Sequence, residues 1–177
     1  MTAQGSTIVS VGAGASLLID ELLGDGYHVI AVDLSATALE TVRSRIGDVT
    51  GLDLVEADVR HLDLASLASD TKRSRVQEPV DTWHDRAVFH FLTTAEDQAA
   101  YARSAAAVVR SGGHLVIATF SLRGPTECSG LPTQRHDAAS LLAVFEPSFE
   151  LIESFETDHV TPWGAVQPFT HAVFRRT

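Results

Sequence analysis

Cysteine is almost missing from this chain: Cys128 stands alone among 177 residues. No intrachain disulfide framework can form, which suits a reducing cytoplasm. Positive charge is scarce as well. Thirteen Lys and Arg face 23 Asp and Glu, for a net charge of -10. A nucleic-acid binder carries a basic face, so this balance argues against a duplex partner. Long apolar runs are lacking, and none reaches the roughly 18 residues that a membrane helix needs. The opening MTAQGST has neither the basic flank nor the apolar stretch of a secretion signal. No repeat, low-complexity tract or linker divides the chain. What remains, with 45% hydrophobic residues, suffices for one domain over 1–177 with a sizeable core.

Apolar strand patterns alternate with helical ones. Residues 7–12, 27–32, 51–57, 80–84 and 114–120 read as strands; 16–24, 36–46, 95–110 and 137–145 read as helices. Ser35 and Thr94 are predicted N-caps, and Gly112-Gly113 a stop. Short helices are predicted over 63–68 and 86–92. Residues 69–79 (SDTKRSRVQEP) read as an exposed polar loop. Its Lys72, Arg73 and Arg75 suit either solvent or an anionic partner. Residues 149–157 and 168–176 are strand-like, with no helix between them, which predicts an antiparallel hairpin. Alternating strands and helices require crossovers. The fold class is therefore α/β, a doubly wound, mostly parallel sheet with an antiparallel C-terminal pair.

Ligands of such sheets sit beyond the carboxyl ends of the strands. Gly12, Ala13 and Gly14 end the first strand. Asp33 ends the second, Asp58 the third, and Trp83, His84 and Asp85 the fourth. Two glycines let a backbone approach a ligand, or simply let the chain turn. Asp33 follows Gly12 by 21 positions, where a carboxylate can accept both hydroxyls of a ribose. Its plainer reading is a neighbour of a helix cap. Asp58 suits an adenine amine, or again a turn. The dinucleotide fingerprint requires a third glycine, and Leu17 occupies that position, which disfavours a nicotinamide-dependent reductase.

VSVGAGAS, AVDLS, LVEADV, VDTWHDRAVFHFLT and VVRSGGHLVIATF occur in the order of class I S-adenosylmethionine (SAM)-dependent methyltransferases, which the chain resembles from Ile8 to Arg175. The WHDRAVFHFLT stretch resembles a group of small bacterial members. The resemblance implies a Rossmann-like, seven-stranded sheet whose last strand inserts antiparallel, and SAM as cofactor. It places Ser10, Gly12, Ala13 and Gly14 at the amino-acid end of SAM. Asp33 with Leu34 falls at the ribose, Asp58 with the Val59 backbone at adenine, and Trp83 with His84 near the sulfonium. Two departures stand out. Ser10 replaces the family's usual acid, and only seven residues precede Ile8, where relatives carry a segment that covers the cofactor.

Methyl transfer is an in-line displacement in which alignment and exclusion of water do most of the work. A base is needed only if the acceptor loses a proton. His84, oriented by Asp85, is the candidate pair; an Asp85–Arg86 ion pair or a helix cap is the plainer reading. No tight ligand spacing supports a metal site. With no recognition domain and an acidic surface, the expected acceptor is a small molecule, with a protein acceptor as the other option. A non-catalytic binding module is the alternative that Ser10 and the short N-terminus favour.

Overall fold

The computed structural model describes residues 5–14, 16–64 and 79–177. Seven strands form one sheet in the order β3-β2-β1-β4-β5-β9-β8. They are β1 (Thr7–Val11), β2 (His28–Asp33), β3 (Leu52–Glu56), β4 (Val80–Arg86), β5 (Val109–Phe120), β8 (Phe149–Val160) and β9 (Val166–Arg176). The short strands β6 (Glu127–Cys128) and β7 (Leu131–Pro132) pair separately in the loop after β5. The first five strands of the sheet are parallel. β9 runs antiparallel between β5 and β8. This is the doubly wound sheet with an antiparallel end that the sequence predicts.

The helices are α1 (Leu18–Gly24), α2 (Ala36–Ile46), α3 (Ala95–Val108) and α4 (Ala138–Phe145). Ser35 caps α2 by accepting the Ala38 N–H at 3.2 Å, and Thr94 caps α3 by accepting that of Asp97 at 3.1 Å. Asp137 and Ser140 close a capping box on α4. These oxygens satisfy amide donors that have no partner inside the helix.

Side chains alternate across the pleat, so each strand of the sheet feeds two layers. Val9, Val11, Trp83, Leu115, Ile117 and Phe174 pack with Tyr101 of α3 and Phe145 of α4. Val29 and Ala31 pack on the other face with Ile19 of α1 and Leu39 of α2.

Three sequence expectations change. The predicted helix over 86–92 is strand as far as Arg86, then a bend and a single 3₁₀ turn at Phe89–Phe91. Ala87 there takes φ +71, which breaks any helix before it starts. The helix over 95–110 ends at Val108, because Val109 already pairs with Val80 of β4. Gly112-Gly113 is therefore no stop but part of β5. A Cβ on Gly113 would come within 2.8 Å of the Asp81 carbonyl oxygen, so glycine there serves close backbone approach. The helix over 63–68 and the loop over 69–79 fall mostly on 65–78, outside the described residues.

Candidate active site

From β1 the sheet grows one way to β2 and β3, and the other way to β4 and β5. Parallel neighbours that depart in opposite directions leave a crevice at their carboxyl ends. A cavity of about 630 Å³ opens there, within the range of roughly 300–1,000 Å³ usual for small-molecule sites. Its floor is Ser10, Gly12 and Ala13; Ser16, Leu17 and Glu21 bound it on the side of α1. His84, Arg86 and Ala87 come from β4 and its turn, and His159, Gln167 and Phe169 from the final hairpin. A second hollow, near 760 Å³, lies by His28 and Asp53 at the amino end of β2, away from the glycine turn.

The glycine turn is built to rule. Gly12 and Gly14 have φ of +56° and +51°, a region costly for residues with a Cβ. Gly12 has a second reason: a Cβ would overlap the Val88 side chain. Asp33 locks the turn from the next strand. Its Oδ2 accepts the Gly14 N–H at 2.7 Å, and Oδ1 accepts the Ser35 N–H at 2.8 Å. A carboxylate offers about four lone-pair sites, so two stay open for a diol. Leu34 beside it is 69% exposed. Ala57 N–H bonds the Asp33 carbonyl at 3.1 Å, which sets Asp58 at the neighbouring strand end.

The Asp58 carboxylate is already engaged. Its two oxygens accept from the Arg60 amide and guanidinium at 2.6–3.0 Å, and Arg60 bridges on to Asp97 at 2.7 Å. The side-chain bonds to Arg60 hold Asp58 below the usual carboxylate range. That leaves its side chain saturated, a cap and ion-pair partner rather than an open acceptor. The Val59 side chain lies in the core, and its N–H, first in a 3₁₀ turn, has no partner within that turn.

β4 divides its residues between two faces. Trp83 and Asp85 point into the core, and neither is exposed at all. Trp83 Nε1 donates to the Tyr101 hydroxyl at 2.7 Å, and that hydroxyl donates to Asp85 Oδ2 at 2.6 Å. Asp85 Oδ1 accepts the Val88 N–H at 2.9 Å. Burial pushes the Asp85 carboxyl up to about 6. The expectations that Trp83 lines the cleft and that Asp85 orients His84 are therefore corrected. Strand alternation turns both away from His84, and Asp85 instead fixes the Ala87–Val88 turn over Gly12.

His84 and Arg86 take the other face. Burial, and then the Arg86 charge, lower the His84 pKa, so its imidazole is neutral near pH 7. Its Nδ1 is buried with no hydrogen-bond partner among the described residues. Arg86 Nη2 lies 3.4 Å from His159 Nδ1, and the guanidinium sits 5.9 Å from the centre of the Phe169 ring. Ser10 is buried on the cavity floor beside His84, its partner in register. Trp163, by contrast, is 77% exposed at the hairpin tip.

Sequence reasoning missed Arg86, His159, Gln167 and Phe169. The helix assigned to 86–92 hid the first. Period-two reading of VDTWHDR carries the signal, since it places Arg86 beside His84 and opposite Asp85. The hairpin residues carry no local signal, because only strand insertion brings them to β4.

Comparison with known proteins agrees with this fold. No curated protein sequence matches the chain. A SAM-dependent methyltransferase from Methanosarcina mazei superposes with a TM-score of 0.76 at 12% identity, over 99% of this chain and 94% of that one. The N-methyltransferase NodS of Bradyrhizobium japonicum gives 0.73 at 16%, over 98% and 86%. The 1,6-didemethyltoxoflavin-N1-methyltransferase of Burkholderia thailandensis gives 0.72 at 18%, over 98% and 72%. At such identities these likenesses establish the fold. A family profile described as "Methyltransferase domain" matches residues 9–115, from β1 into β5, and on that match the chain belongs to the methyltransferase-domain family.

Proposed function

We propose that this chain transfers the methyl group of SAM to a small-molecule acceptor. The observation that carries the reading is the Asp33 carboxylate, tied to Gly14 at the switch-point crevice with acceptor capacity to spare. Asp33 would take the ribose hydroxyls, and the Gly12–Gly14 turn would lie beneath the amino-acid end. The Val59 backbone N–H, rather than the engaged Asp58 carboxylate, would meet adenine. SAM supplies a methyl already activated on a sulfonium, so the protein need not protonate the leaving group. What this chain contributes is orientation, a closed floor, and a neutral His84 able to accept a proton from the acceptor. Superposable methyltransferases include one with 1,6-didemethyltoxoflavin and S-adenosylhomocysteine bound, which supports a small-molecule acceptor.

Titration calorimetry with S-adenosylhomocysteine and with NAD tests the reading. Micromolar binding of the first, and none of the second, is the expected result. Asp33→Ala should weaken S-adenosylhomocysteine at least tenfold while the variant still unfolds cooperatively. Ser10 favours a second reading, a binding module without catalysis, because the cavity floor lacks an acid for the cofactor's ammonium group. Failure of the wild type to bind S-adenosylhomocysteine would sink the methyltransferase reading and leave that one.

A further inference from the structure

Arg86 brings a guanidinium to the lining of the switch-point cavity. Arg43, Arg45, Arg60, Arg110, Arg123 and Arg175 each meet an acid at 2.6–3.3 Å. Among the described residues none comes within ion-pair distance of Arg86, whose partners are a ring nitrogen and an aromatic face. Yet the chain is acidic by ten charges, so an unpaired guanidinium in its switch-point cavity is a local reversal.

The neighbours make that reversal a built surface. A guanidinium only donates, so His159 Nδ1 must accept from it. With Nδ1 accepting, Nε2 is the nitrogen left to donate to a ligand. Gln167 adds a carboxamide on the same hairpin. Glu21, the one acid among the described lining residues, belongs to α1, on the side of the glycine turn. Phe169 lies under the guanidinium and gives a planar apolar seat.

We propose that Arg86, with His159 and Gln167, binds the carboxylate of the methyl acceptor, which makes the substrate a small organic acid. This rests on the methyltransferase reading. The Arg fork fits a carboxylate with two parallel bonds. His84 precedes Arg86 by two positions on the same face, about 6.6 Å along the strand. In register His84 sits level with Ser10 and Asp85 level with Val11, so an acid anchored at Arg86 would hold its nucleophilic atom over His84 and beside the glycine turn.

The cofactor's amino-acid end is a second source of the same chemistry, and the arms of the test separate them. Benzoate and its neutral isostere benzamide are titrated into wild type and Arg86→Gln, each with and without S-adenosylhomocysteine. S-adenosylhomocysteine and methylthioadenosine, which lacks the amino-acid tail, are titrated separately. The expected result is at least a tenfold preference for benzoate in wild type. Arg86→Gln should lose that preference, with S-adenosylhomocysteine affinity changed less than twofold. Equal or absent binding of both probes overturns the proposal. So does a tenfold loss of S-adenosylhomocysteine in Arg86→Gln with methylthioadenosine unaffected, which would give Arg86 to the cofactor. A benzoate preference in a protein that binds no S-adenosylhomocysteine would uphold the anion site and sink the methyltransferase reading alone.

Discussion

Tyr101 Oη donates to Asp85 Oδ2 at 2.6 Å while accepting from Trp83 Nε1 at 2.7 Å, all three side chains out of reach of solvent. The chain of donors ends on a buried carboxylate, which also holds the Val88 amide. Asn at this position keeps the shape and loses the charge. One amide oxygen cannot replace two carboxylate oxygens, so one buried donor is left facing an NH₂ group. Asp85→Asn should cost about 1–3 kcal/mol at pH 7.5. The sign with pH is set by burial, which holds the carboxyl up to about 6 against the ordinary aspartate value of about 3.8. The folded state binds the extra proton, so Asp85 adds stability below pH 4 and loses it as pH rises to 6. The gap between wild type and Asp85→Asn should therefore widen by up to about 1.4 kcal/mol per pH unit between 6 and 4. Urea unfolding at pH 4.5 and 7.5 measures it; an unchanged gap would mean an ordinary carboxyl.

The two glycines of the turn should behave differently. At both, a Cβ meets the left-handed backbone, at about 1–2 kcal/mol. At Gly12 it also strikes Val88, while at Gly14 the nearest atom is the Gly12 carbonyl oxygen at 3.8 Å. Gly12→Ala should thus lose an additional 1–3 kcal/mol or so. Thermal unfolding of the two single variants decides: equal melting temperatures would remove the role given to Val88.

How much was legible beforehand follows from how local each signal is. Ser35, Thr94 and the run 36–46 announce their helices because capping and amphipathic spacing act within one or two turns. Asp33 was legible as a strand-end acid, since the apolar run of β2, Val29 to Val32, closes directly on it. The direction of Trp83 was legible only with the register of β4 in hand, and the 86–92 reading obscured that register. Arg60 could not be foreseen as the partner of Asp58, because a long side chain turning back two residues leaves no mark in spacing. The meeting of His159 with Arg86 spans 73 positions and arises from insertion of β9 beside β5.

His90 and His136 are buried, and among the described residues none of their four ring nitrogens has a hydrogen-bond partner. His90 stacks on Phe120 at 4.2 Å, and His136 packs beside Phe89 at 5.0 Å. Burial lowers both to about 4. Here the unfolded chain binds the extra protons, so the stability these rings support is complete above pH 6.5 and is lost as pH falls towards 4. The sign opposes that of Asp85. His136→Leu removes one such group and one unsatisfied buried polar ring. It should leave stability equal or higher by about 1 kcal/mol at pH 7.5. It should also flatten the acid limb by up to about 1.4 kcal/mol per pH unit. An acid limb as steep as that of wild type would show that His136 titrates normally.

His84 offers the most direct reading of the crevice's electrostatics. Its imidazole is neutral because burial, first, and the Arg86 charge, second, disfavour the protonated form. A base of that kind is competent over a wider acidic range than an unperturbed histidine, whose charge turns over near pH 6.5. Followed by proton NMR of the ring C–H signals, His84 should titrate with a midpoint below 6.5. Arg86→Gln removes the second cause and leaves the first, so the midpoint should rise while staying below 6.5. If His84 takes the acceptor's proton, the acid limb of kcat/KM moves with that midpoint, and His84→Ala costs about 10²–10⁴-fold in rate. A midpoint indifferent to Arg86→Gln would separate the two side chains electrostatically. The β4 face would then be two independent residues rather than one charged wall.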